Sequence, residues 1–174
     1  HLYARPVLLE EIEAMGLEDP VVVTPDVGGT KMARAYAKRL DADLAIVDKR
    51  RISGTETAIE HVIGEVEGRN CIIVDDLIST GGSITQAAAV LKSKGAKAII
   101  IAVSHAVFVG PAVSRLDAAP VDAILVTDSI PQGEVRPSKL KVCSIAPIIA
   151  KTIKSIHRSE SVSSLFEDRK STRL

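Results

Sequence analysis

The sequence has no tryptophan, and aromatic residues make up 2% of its 174 positions. Single-stranded nucleic acid would find no stacking platform here. Net charge is also missing: 22 Lys plus Arg offset 22 Asp plus Glu. No general field draws nucleic acid or an anionic membrane, so any anion site must be local. The two cysteines, Cys71 and Cys143, each sit in an apolar stretch. They read as buried thiols of a reducing, cytoplasmic setting rather than as a disulfide. No apolar run approaches the ~18 residues of a membrane span, and no signal-peptide pattern opens the chain. The chain starts at His1 without methionine, in "HLYARPVLLEEIEAMG", an opening that reads as that of a fragment.

What remains is an aliphatic sequence, 46% hydrophobic, long enough for one core. A core of Ile, Val, Leu and Ala suits a parallel sheet covered by helices. Strand-length runs, "VVVT" (21–24), "LAIV" (44–47), "CIIVDD" (71–76), "KAIIIAVSHA" (97–106), "DAILVTD" (122–128) and "KVCSI", alternate with helix-period stretches. Helices are expected over 29–40, over 83–94 with Gly95 as a stop, from "GPAVSRL", and over "APIIAKTIKSIH" with Pro147 in its first turn. The pattern implies an α/β fold with a doubly wound, mainly parallel sheet flanked by helices. Residues 48–70 are too polar for core and too long for an ordinary connection, which marks a functional loop. The polar tail after Phe166 reads as disordered over 167–174.

One stretch is electrostatically odd. "CIIVDDLISTGGS" (71–83) drives a buried strand into two adjacent acids, then into a hydroxyl- and glycine-rich turn before a helix. Ligands of open α/β sheets bind beyond the carboxyl ends of the strands. There Gly81 and Gly82 let the backbone approach a ligand. Amides and the hydroxyls of Ser79, Thr80 and Ser83, at the positive end of a helix, suit a phosphate monoester. Asp75 and Asp76 would repel that phosphate, but they can accept hydrogen bonds from vicinal hydroxyls. Together the halves describe a ribose 5-phosphate site. A capped helix with no ligand explains either half alone.

These residues resemble the phosphoribosyl pyrophosphate signature, shared by type I phosphoribosyltransferases and ribose-phosphate pyrophosphokinases. Three further stretches are similar to the pyrophosphokinases: "TPDVGG" (24–29), "DKRR" (48–51), and "SHAVFVGPAVSRL" with the ending "SVSSLF" (161–166). The resemblance covers residues 1–166 and implies a phosphoribosyltransferase-like domain, the C-terminal half of a two-domain enzyme, with a mobile catalytic loop over 48–60. It implies transfer of the β,γ-diphosphoryl group of ATP to the 1-hydroxyl of ribose 5-phosphate. Lys49 and Arg51 would be catalytic. Asp26, Gly28 and Gly29 would handle pyrophosphate, and Asp26 would ligate Mg²⁺. Ser161 and Ser163 would border a regulatory phosphate. Ser79 stands where many bacterial members have Asp, and "ISGTETAIEH" lacks the bacterial Pro-Arg-Pro-Asn run. A type I phosphoribosyltransferase and a non-catalytic regulatory homologue are the alternatives. Expected partners are ATP and ribose 5-phosphate and, through surfaces left uncovered, further copies of the chain, with no nucleic acid and no membrane. His105 is expected to be a core-edge histidine satisfied by backbone.

Overall fold

A computed structural model describes residues 2–50 and 59–162, with the backbone alone for 49, 50, 59 and 60. The strands are β1 (Pro20–Thr24), β2 (Asp43–Arg50), β3 (Ile59–Ile63), β4 (Asn70–Ile78), β5 (Ala98–Ala106), β6 (Ala123–Thr127) and β7 (Leu140–Cys143). They form one 7-stranded sheet in the order β3-β2-β1-β4-β5-β6-β7. Every neighbouring pair is parallel except β2 with β3. The helices are α1 (Arg5–Ala14), α2 (Thr30–Leu40), α3 (Gly82–Ser93), α4 (Ala112–Ala118) and α5 (Ala146–His157), with a short 3₁₀ turn at Val27–Gly29.

The winding direction reverses once. From β1 the chain moves outward through α2 to β2, then returns to lay β4 on the other side of β1 and continues through α3 to β5. Right-handed crossovers in opposite directions put their helices on opposite faces, and the core divides accordingly. Leu8, Leu9 and Ile12 of α1 and Ala33, Tyr36 and Ala37 of α2 pack on Val22, Ile72, Val74 and Ile100. Ile84, Ala87, Ala88 and Leu91 of α3 and Leu116 of α4 pack on Val21, Val23, Cys71, Ile73 and Ile101. Central strands buried on both faces explain the unbroken aliphatic runs that replace alternation. Cys71 and Cys143 are buried free thiols, and burial pushes each up to about 11. Among the described residues no helix is long and apolar enough to cross a membrane.

One element is added to the sequence reading and one expectation is corrected. The segment before β1 folds as α1, opened by a proline in its first turn and unforeseen from the sequence. Within the expected loop 48–60, Asp48, Lys49 and Arg50 instead complete β2 and pair antiparallel with His61, Glu60 and Ile59 of β3. An edge hairpin keeps polar side chains in water while its backbone groups pair, so its polarity resembles that of a loop. Arg51 and the rest of 51–58, Ser163 and the tail 167–174 lie outside the described residues.

A cleft at the reversal point

β1 is shorter than both of its neighbours. It pairs with β2 through Thr24↔Ile46 and with β4 through Val23↔Ile73. β2 runs on to Arg50 against β3, and β4 runs on to Ile78 against β5. Two strand extensions therefore flank the turn that follows β1. This is where the strand order reverses, the crevice in which open α/β sheets bind ligands. Asp48–Arg50 lies on one side, Asp75 and Asp76 on the other, and residues 25–29 between them. Asp75 and Asp76 belong to β4 itself, which ends two residues later than the sequence suggested.

The turn after β1 is held by its own side chains. Asp26 Oδ1 accepts from the Gly29 N–H at 3.1 Å, and the Thr24 hydroxyl donates to the Asp26 carbonyl at 2.8 Å. Thr24 is fully buried, and a Cβ on Gly29 would lie 2.3 Å from its Oγ1. Gly29 is thus required by close packing. A pyrophosphate group could use the Gly29 amide only in exchange for the Asp26 cap.

The turn after β4 is built in the opposite sense. The Ile78 carbonyl accepts from the N–H groups of Val107 (3.0 Å) and Phe108 (3.3 Å), and the Ser79 carbonyl from that of Val109 (3.0 Å). The Thr80 carbonyl accepts from Arg115 Nη1 at 3.1 Å. Three consecutive carbonyls are thereby drawn toward the segment after β5 and the helix α4 that follows it. No peptide is cis, and in a trans peptide the C=O and the next N–H point in opposite directions. The N–H groups of Ser79, Thr80 and Gly81 consequently face away from that segment. Among the described residues no protein acceptor takes any of the three. Gly81, at φ 74°, makes the left-handed bend into α3, and its carbonyl accepts from the Thr85 N–H and hydroxyl. Successive outward amides at the start of a helix form an anion-binding concavity.

The acids beside it carry the cost of their placement. Burial pushes Asp75 up to about 6; the Asp76 N–H, donated to Asp75 Oδ1, works against the rise, while the charges of Asp76 and Asp26 add to it. Asp26 and Asp75, far apart in sequence, therefore act on each other across the β1–β4 gap. Vicinal hydroxyls donating to Asp75 would favour its ionised form.

The topology thus brings together Asp26, Gly28, Gly29, Asp75, Asp76, Ser79, Thr80, Gly81, Gly82, Ser83 and the backbone of Lys49. Ser161 is exposed and lies just past α5. His105 differs from expectation: it is exposed, and its Nδ1 bonds the hydroxyl of Ser129 at 2.8 Å, not backbone. Thr24, Thr85 and Arg115 shape the site without having been singled out. Arg115 lies within "GPAVSRL", but nothing in that string indicates that it reaches Thr80.

The chain is similar to known proteins. Ribose-phosphate pyrophosphokinases of Neisseria meningitidis and Xanthomonas axonopodis are 43% and 45% identical over 170 and 172 residues, in each case 97% of this chain. Those stretches are 52% and 54% of the relatives, so the chain spans about half the length of the curated relatives it matches. The crystal structure of phosphoribosylpyrophosphate synthetase from Mycobacterium smegmatis superposes with a TM-score of 0.83 at 37% identity, over 90% of this chain and 51% of that one. A purine phosphoribosyltransferase from Pyrococcus horikoshii, 21% identical with a TM-score of 0.50 over 80% of this chain and 78% of its own, shares the fold alone. The family described as the phosphoribosyl synthetase-associated domain matches residues 51–167. That match covers more than half of the chain, which therefore belongs to the phosphoribosyl synthetase-associated domain family.

Proposed function

We propose that the cleft binds ribose 5-phosphate, and that the chain is the sugar-phosphate-binding half of a ribose-phosphate diphosphokinase. The observation that carries this reading is the pairing of outward amides at Ser79–Gly81 with the half-buried Asp75 beside Asp76 at the β1–β4 gap. A phosphate seated at 79–83 places the attached ribose toward β4, where Asp75 and Asp76 accept from its hydroxyls. In the intact enzyme the acceptor would be the 1-hydroxyl of ribose 5-phosphate and the donor ATP. The products would be phosphoribosyl pyrophosphate and AMP. Lys49 and Arg51 would offset the charge that builds on the migrating diphosphoryl group, the main protein contribution to such transfers.

Mg²⁺ belongs to this reading through Asp26. Among the described residues no group of three or more acidic, histidine or cysteine side chains forms a metal cage. A lone carboxylate such as Asp26 suits magnesium, which is typically held by one or two carboxylates, substrate phosphates and water. The cation would neutralise phosphate charge. Asp26, with Gly28 and Gly29, would place the pyrophosphate end of the nucleotide opposite the sugar. A cytoplasmic setting and pairing of copies are part of the same proposal; sedimentation of the chain checks the pairing.

Titration of the chain with ribose 5-phosphate, with and without Mg²⁺, tests the reading. Saturable binding should move the amide resonances of residues 79–83, and Asp76→Asn should weaken it by about tenfold, the scale of a hydrogen bond to a charged group. Unmoved resonances at saturating ligand sink the proposal. In an intact protein carrying this segment, Lys49→Ala should lower kcat by ~10²-fold, as for loss of one transition-state donor. AMP formed from ATP and ribose 5-phosphate separates a diphosphokinase from a phosphoribosyltransferase.

A further inference from the structure

Three of the groups that shape the turn after β4 are backbone amides of the segment after β5, and the fourth is a side chain from a more distant helix. Arg115 lies on α4 and is exposed, so burial does not account for its place. Its Nη1 meets the Thr80 carbonyl at 3.1 Å and lies 3.5 Å from where a Cβ on Gly82 would stand. The carbonyl it holds belongs to the peptide whose N–H is that of Gly81. That peptide precedes the left-handed bend, where Gly81 sits at φ 74°. Glycine populates both signs of φ readily, so this plane is the least constrained of the three. The planes on either side are fixed by Val109, which donates to Ser79, and by Thr85, which donates to Gly81.

We propose that Arg115 is a positioning residue for the phosphate turn, acting through the Thr80–Gly81 peptide. This inference rests on the ribose 5-phosphate reading above. By holding the Thr80 carbonyl toward α4, the guanidinium keeps the Gly81 N–H aimed at the anion before ligand arrives. It also sets a permanent cation behind the turn, offsetting the repulsion a phosphate meets from Asp75 and Asp76. Binding to a preformed donor array avoids the cost of ordering it. Arg115 therefore contributes to affinity for the phosphate end of the ligand and not for the sugar hydroxyls.

The test uses the 174-residue chain and three probes: ribose 5-phosphate, inorganic phosphate and ribose. Arg115→Met should weaken ribose 5-phosphate and phosphate by about tenfold, the scale of one charge-assisted hydrogen bond. Ribose binding should not change. Arg115→Lys keeps a cationic donor and should recover part of the loss. The Gly81 amide resonance should broaden or shift in the ligand-free Met variant, while resonances of β5 and β6 stay in place. If wild-type chain fails to bind ribose 5-phosphate, the functional reading falls and this inference with it. If wild type binds and Arg115→Met binds equally well, the inference alone is overturned. A Met variant that loses ribose and ribose 5-phosphate in equal measure overturns it too, since that marks general damage to the fold.

Discussion

The turns after β1 and β4 are neighbours in space, and each carries paired glycines at the entry to a helix. They differ in where their amides point. After β1, Asp26 folds back and takes the Gly29 N–H, and the glycine is required because buried Thr24 leaves no room for a Cβ. After β4, the carbonyls are drawn back by residues 107–109 and Arg115, and the amides are left outward. In the first turn the Gly29 amide is taken by the turn's own Asp26, whereas in the second the carbonyls are held by the next βα unit and the amides of residues 79–81 stay outward. A glycine pair thus indicates that the backbone comes close to something; the partners of the neighbouring carbonyls decide whether that is protein or ligand.

Substitution can break this contrast, and the largest effect is expected at Gly29. Gly29→Ala forces a Cβ into Thr24 and should destabilise the chain by about 2–3 kcal/mol, in the range for overpacking a buried site, as read by urea denaturation. Adding Thr24→Ala should recover much of that loss in a double-mutant cycle. Gly81→Ala has no neighbour closer than 3.7 Å; it should cost about 1–2 kcal/mol through left-handed strain alone, with no coupling to Thr24→Ala. Asp26→Ala removes a capping acceptor and should cost about 1 kcal/mol while leaving the amides after β4 unshifted. A further effect is a slope. Folding raises Asp75 from 3.8 to about 6, so between those values the folded chain holds more protons than the unfolded one. Stability should then fall as pH rises through that window and level off above it. Asp75→Asn should flatten the slope, and an unchanged profile would place the titrating group elsewhere.

The doubly wound pattern was legible because buried parallel strands write themselves as aliphatic runs, and "CIIVDD" and "KAIIIAVSHA" leave little alternative. The acids and glycines of the site were legible because they are locally costly. What escaped notice has a physical reason in each case. α1 packs Leu8, Leu9 and Ile12 but opens on a proline and carries adjacent acids, so its period is weak over ten residues. β3 is an edge strand whose identity comes from pairing with β2, not from hydrophobicity. The contact of Arg115 with Thr80 spans 35 positions, and no local pattern records it. The alternation of side chains likewise said nothing about β1 ending before its neighbours, which is what creates the cleft.

The opposite end of the sheet is fastened. Arg69 forks between Asp19 and Asp43, at 2.6 and 2.7 Å, and Asn70 donates to the Glu18 carbonyl. The starts of β1, β2 and β4 are thus laced together on the side remote from the cleft. A pleated layer sewn at its hem keeps its strands in step while their far tips differ in length. Those tips can therefore diverge in sequence without unpicking the weave.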